Sequence, residues 1–202
     1  MKTGTKIVLA AVGAVVTYQL IITLSQIIER HMYYKQARDY CDQVGKPLLC
    51  VGMKQLPWHA PDGDVTVDVD PGVLRRPGGL IADERDLPFA DKQFGFCYNG
   101  HTLEHMGSAE NVELAVNECL RVSDKAVFLT PSPADIMSAV LHPGHHIQLW
   151  YDKANNKIKV APNKWRTGFG FSRDDSVKIG QAIVFNNDDL VEIEKTGNAY
   201  II

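Results

Sequence analysis

From Ile7 to Ile28 the chain runs for 22 residues without a charged side chain, with Lys2 and Lys6 before it and Glu29 and Arg30 after it. As a helix rising about 1.5 Å per residue it spans about 33 Å, enough for a hydrocarbon core of about 30 Å. A cleaved secretory signal has a shorter apolar core and a small-residue cleavage site, and neither is evident. The competing structure is a buried core helix. Gln19 and Gln26 are the only strongly polar interruptions, so the helix is apolar on every side. The run reads as a single-pass anchor with the lipid bilayer as its partner. Lysine and arginine are too evenly divided between its flanks to fix orientation.

The helix is expected to continue past the membrane surface. In Glu29–Val44, the residues Tyr33, Ala37, Tyr40, Cys41 and Val44 fall on one helical face, and Gly45 and Pro47 supply an ending. The chain thus divides into an anchor over 1–28, an amphipathic connecting helix over 29–46, an α/β domain over 47–151 and a β-rich extension over 152–202.

Charge bounds the partners. Charged residues make up 22% of the chain and the net charge is −3, so no basic field recommends nucleic acid. The four cysteines, Cys41, Cys50, Cys97 and Cys119, form no CxxC pair and read as small buried hydrophobes of a reducing compartment. The globular part is expected on the cytosolic side.

Within the α/β domain, Leu48–Val51 reads as a first strand and Val65–Val69 as a second. The stretch Gly79–Met106 reads as strand, acidic corner, Leu-Pro-Phe turn, strand and polar corner. Gly79–Ala82 suits a buried strand of a parallel sheet. Asp83, Glu84 and Asp86 crowd its end, and Pro88 prevents a helix there. Phe94–Tyr98 is the next strand, which Asn99-Gly100 is expected to break. Ser108 can cap a helix whose buried stripe is Val112, Val116, Cys119 and Leu120, with Ala126–Thr130 as a strand after it. A short helix up to Leu141 is expected next. Polar residues at the carboxyl ends of parallel strands are where doubly wound folds bind ligands.

The segments ADERDLPFADKQFGFCYNGHTLEHM and AVNECLRVSDKAVFLTP resemble the middle of a class I S-adenosylmethionine-dependent methyltransferase of the type 11 kind. The resemblance covers roughly residues 47–133. It implies a Rossmann-like sheet, with S-adenosylmethionine held by Gly52, Asp68, Asp83, Glu84 and Asn99. Asp68 matches the acid that bonds the ribose hydroxyls, and Asp83 lies where the adenine is expected. His101, Glu104 and His105 are the candidate general bases.

The chain departs from that family at the glycine-rich corner. Where the family has acid-x-Gly-x-Gly, this chain has Cys50-Val51-Gly52-Met53-Lys54, keeping only the first glycine. Pro57 and Pro61 follow within a short connection, and Pro71–Gly78 is also too short for a crossover helix. One sheet face is therefore expected to lack two helices and to be covered by Glu29–Val44 or by a protein partner. The eroded corner predicts weak cofactor binding, or none.

Two histidine groups complete the reading. His101-Thr102-Leu103-Glu104-His105 matches the inverted zincin pattern H-x-x-E-H, which would make a zinc-dependent hydrolase. That pattern needs a helix, and the preceding Asn99-Gly100 argues for a strand end, so no metal is expected. The loop containing His142, His145 and His146 reads as solvated, because no cysteine or second histidine pair lies nearby in sequence. Beyond it, strands are expected at His146–Tyr151, Lys157–Val160 and Val177–Phe185, then a hairpin of Leu190–Glu194 with Tyr200–Ile202. Part of this is expected to complete the main sheet antiparallel at its edge. Asn163–Asp175 receives no assignment. Two functions remain: a membrane-anchored methyltransferase, or a structural or assembly subunit of a membrane complex built on a methyltransferase-derived domain.

Overall fold

The computed structural model describes residues 3–52, 62–132, 135–138, 142, 144–152, 155, 157–163, 181–186 and 192–195. The segments expected as anchor and connecting helix form one helix, α1 (Thr3–Val44), which ends where Gly45 takes a φ of +67°. A six-stranded sheet follows. Its strands are β1 (Leu48–Val51), β2 (Val65–Asp68), β3 (Gly79–Ile81), β4 (Phe94–Gly100), β5 (Ser123–Thr130) and β8 (Gln181–Asn186), in the order β3-β2-β1-β4-β5-β8. The first five are parallel and β8 closes the edge antiparallel to β5, as expected. A second sheet holds β6 (Ile147–Asp152), β7 (Lys157–Pro162) and β9 (Glu192–Lys195) in the order β6-β7-β9.

The two faces of the main sheet follow from strand alternation. Leu49, Val51, Val67, Cys97, Ala126 and Phe128 point to the side of α2 (Ala109–Val122), where Ile147, Leu149, Ile158 and Val160 of the second sheet join the same core. Ser108 caps α2, its hydroxyl accepting from the Asn111 N–H at 3.2 Å. Leu48, Cys50, Phe96, Tyr98, Val127 and Leu129 point the other way and meet Ala37 and Cys41 of α1, flanked by Tyr33, Tyr34 and Tyr40. Of the two covers considered for the reduced sheet, the helix is the one on this face. All four cysteines are buried and unbridged.

Two expectations change. β3 is an exposed edge rather than a buried strand: Leu80 and Ile81 are 37% and 44% accessible, and only one 3-10 turn (Pro71–Arg75) connects β2 to β3. Asn99 and Gly100 do not break β4. They pair with Val51, Phe128 and Leu129, and the chain turns only at His101, whose φ is +62°. β9 runs parallel to β7, and the other half of the expected hairpin, Tyr200–Ile202, lies outside the described residues. So do Val177–Gly180, residues 164–175 of the unassigned segment, and most of the helix expected before Leu141.

The α1 contact yields a test. Ala37 is fully buried against the sheet, so Ala37→Leu must displace its neighbours and is expected to lose about 1–3 kcal/mol of stability. Gln36→Leu on the exposed side is expected to change stability by less than about 0.5 kcal/mol. Denaturant unfolding of both variants checks the difference.

Candidate functional site

Parallel register brings the strand ends together. Val51 lies opposite both Val67 and Asn99, and Asp68 lies opposite Ile81. The residues that follow therefore gather at one end of the sheet around a cavity of about 410 Å³, lined by Gly52, Asp68, Asp83, Glu84, His101 and His105 among others. That volume falls in the range of small-molecule sites. Four of the five residues assigned to cofactor binding line it, and the fifth, Asn99, lies fully buried below Glu84.

Gly52 forms the corner. Its φ is +83°, and a Cβ there would fall 2.1 Å from Thr102 Cγ2, so any side chain would be strained twice over. The Gly52 N–H donates to the Val67 carbonyl at 2.9 Å, tying the corner to β2. Asp68 stands on the rim, with Oδ1 accepting from the Asp70 N–H at 2.8 Å. Asp83 is gripped by Arg85, whose Nε, Nη2 and backbone N–H all donate to its carboxylate at 2.9, 2.5 and 2.9 Å. Those Arg85 bonds hold its pKa below the usual range.

Glu84 behaves differently. Asn99 Nδ2 and Thr102 Oγ1 approach its Oε2 at 2.5 and 2.9 Å, and Thr102 Oγ1 is also 2.5 Å from Asn99 Oδ1. Burial pushes the Glu84 carboxyl up to about 7, against the opposing effect of those two hydrogen bonds. A hydroxyl has one proton to give, so a protonated Glu84 fits this ring of contacts better than an ionised one. Thr102 is a site residue the sequence reading missed.

The proposed bases separate. His101 is buried, and its Nε2 accepts from Arg30 Nε at 2.9 Å and from Arg30 Nη2 at 2.7 Å. Its Nδ1 lies 3.3 Å from Glu104 Oε1, and His145 Nε2 lies 3.7 Å from the same oxygen. Glu104 is thus a buried link between two histidines and is not among the residues lining the cavity. His105 does line it, with Nδ1 on the Gly144 carbonyl at 2.9 Å. Arg30 was not foreseen as a site residue. Burial lowers its pKa from that of free arginine, and its position just past the uncharged run was the one available signal.

HTLEH does not form the helix that a zincin pair requires. Leu103–His105 is a single 3-10 turn, and His101 and His105 face different partners. The HPGHH loop is likewise not isolated. His105, His142 and His145 place their ligand-capable atoms within 4.8 Å of one another. The second histidine source absent from the local sequence comes from the turn after β4.

Comparison with known proteins agrees with this geometry. Residues 64–129 match the family model described as a methyltransferase domain. Among solved structures, the PH0226 protein from Pyrococcus horikoshii OT3 matches at 12% identity, over 62% of this chain and 69% of that one, with a TM-score of 0.34. No curated protein matches. Residues 64–129 thus resemble a methyltransferase domain, and the parallel sheet with its strand-end crevice fits the Rossmann-like fold of such domains.

The Glu84 environment predicts a pH dependence. A carboxyl whose pKa is about 7 when folded, against about 4.5 when unfolded, stabilises the fold below pH 4.5, and that stabilisation is lost as pH rises to 7. The loss is at most about 1.4 kcal/mol per pH unit in that window. Glutamine is uncharged at every pH, so it removes the titration while keeping the shape of the protonated acid. Glu84→Gln is expected to match the parent near pH 5 and to exceed it in stability by pH 8. Urea unfolding at a series of pH values checks this, and parallel curves at all pH values would refute it.

Proposed function

We propose that this chain is a membrane-anchored S-adenosylmethionine-dependent methyltransferase. The observation that supports it best is the 410 Å³ crevice formed by the residues that the family resemblance assigns to the cofactor. The donor set fits: a glycine corner lets a ligand approach backbone, and a rim carboxylate at Asp68 suits a ribose diol. S-adenosylmethionine would supply a methyl group on a sulfonium for attack by a nucleophile. The chain's own part is to hold the acceptor in line and exclude water.

A second cavity of about 340 Å³ gives the acceptor a place. It shares His101 with the first and is lined by Gln26 and Arg30 of α1 and by Asp135, Met137, His142 and His145, among others. Arg30 lies two residues beyond the uncharged run, so this cavity opens beside the anchor. A small or lipid-like acceptor drawn from the bilayer surface is the substrate class that suits it.

Anchoring rests on α1, whose Ile7, Val8, Leu9, Val12, Val15, Val16, Leu20, Ile21 and Leu24 are all more than half exposed. A soluble protein rarely leaves such a contiguous apolar surface in water. Four unbridged cysteines suit a cytosolic placement of the globular part. The full-length chain is expected to stay in the membrane pellet after a carbonate wash.

The corner that lacks its second glycine supports a second reading, a non-catalytic subunit. Calorimetry on full-length protein in detergent separates the two. The enzyme reading expects micromolar binding of S-adenosylmethionine. Asp68→Ala should then cost about 1–3 kcal/mol, a Kd rise of about five- to a hundred-fold. Gly52→Ala should weaken binding at least as much. A parent protein without measurable binding would favour the subunit.

A further inference from the structure

We propose that His105, His142 and His145 form a binding site for one divalent transition-metal ion of the zinc class. The proposal is independent of cofactor binding. It rests first on convergence from distant sequence: the 3-10 turn after β4 and the loop before β6 bring three imidazoles together, with ligand-capable atoms within 4.8 Å.

The hydrogen bonds set the rings up as ligands. His105 Nδ1 lies 2.9 Å from the Gly144 carbonyl oxygen, and His145 Nδ1 lies 3.1 Å from the Ser138 carbonyl oxygen. A carbonyl only accepts, so His105 Nδ1 carries the proton and its Nε2 the lone pair; His145 Nδ1 also lies 2.8 Å from the Ser138 hydroxyl, and an ion at its Nε2 selects the tautomer that donates to the carbonyl. Metal-binding histidines are oriented in the same way, donating the other N–H to a backbone carbonyl. Glu104 Oε1, 3.7 Å from His145 Nε2, adds a buried carboxylate next to the prospective ion.

Gly144 makes the convergence sterically possible. A Cβ at that position would fall 2.7 Å from His105 Nδ1 and 3.0 Å from its Cε1. Only a residue without a side chain lets the loop come close enough for the carbonyl to meet the ring. The sequence His-Pro-Gly-His-His is thus built around His105 as well as around its own histidines.

Donor chemistry selects the ion. Three neutral imidazoles suit zinc, cobalt, nickel or copper, whereas magnesium and calcium require oxygen ligands. Three protein ligands leave a fourth position for water or substrate, and the 340 Å³ cavity lined by His142 and His145 offers the room. Zinc–nitrogen bonds of about 2.0–2.1 Å require the nitrogens to close to about 3.3–3.5 Å apart. His142 is exposed and stacks on His145 at 4.0 Å between ring centres, so it is the ring able to swing.

The test uses tag-free, full-length protein in detergent, stripped with chelator and titrated with Zn²⁺ by calorimetry, with Co²⁺ absorption as a second probe. The parent is expected to bind one ion per chain with a Kd in the micromolar range or below. His105→Ala and His142→Ala should each weaken binding at least tenfold. His146→Ala, which removes a neighbouring histidine outside the cluster, should bind like the parent. Zn²⁺ should raise the Tm of the parent and of His146→Ala but not that of His142→Ala, an exposed position whose loss leaves the core intact. If His105→Ala does not fold, His142→Ala decides. Absence of saturable binding by the parent, undiminished binding by His142→Ala, or equal loss in His146→Ala would overturn the proposal.

Discussion

A parallel sheet must be covered on both faces, because its central strands are apolar on both. Here α2 and the second sheet cover one face, while the other, formed by Leu48, Cys50, Phe96, Tyr98, Val127 and Leu129, is covered by α1. The helix that carries the uncharged run is therefore also a piece of the core. Polar ties fix its position along the sheet. Arg38 Nη1 reaches Asp64 Oδ2 at 2.7 Å, the Leu48 N–H donates to the same oxygen at 2.7 Å, and Lys46 holds Asp124. Higher up, Gln19 and Gln26, two turns apart and so on one side, both donate to Asp135, at 2.7 and 2.9 Å. The two polar interruptions of the apolar run are the residues that dock it.

The same helix delivers Arg30 into the protein. A buried guanidinium is costly unless its donors are used, and here the Nε and Nη2 donors converge on one imidazole nitrogen. His101 can receive them because its backbone adopts a left-handed turn, which aims the ring back toward α1. With Nε2 engaged, Nδ1 is turned to Glu104, and Glu104 in turn to His145. A chain of buried polar groups thus runs from α1, beneath the strand-end crevice, to the histidine loop. Removing one member would leave its neighbours buried with a lost partner, which costs more than the pair contributes.

Much of this was legible in the sequence, and the failures have physical reasons. Short apolar runs bounded by turn residues gave the strands, and an apolar stripe behind a capping serine gave α2, because those signals are local. Gly52, Asp68, Asp83 and Glu84 were legible because they sit at strand ends, where register alone decides that they meet. Asn99 misled as a strand breaker: its side chain is satisfied by Glu84 and Thr102, so it tolerates a central strand. β3 misled in the opposite sense. Its apolar residues suggested burial, but the connection before it is too short to bring a helix over them. The Arg30–His101 bond and the meeting of His105 with His142 and His145 span 71, 37 and 40 positions, and no local pattern encodes contacts of that range.

The short crossovers also shape the crevice itself. With only a 3-10 turn between β2 and β3, Val69, Leu74, Leu80 and Ile81 stand exposed along the same edge. The enclosed part of the site lies on the opposite side, at Glu84, Asn99 and Thr102, and these groups are mostly satisfied by one another. A side chain at position 52 would push directly on Thr102, and Thr102 belongs to the ring of contacts that holds Glu84 and Asn99. The single surviving glycine of the corner is thus retained by packing within the protein, whether or not a cofactor is bound.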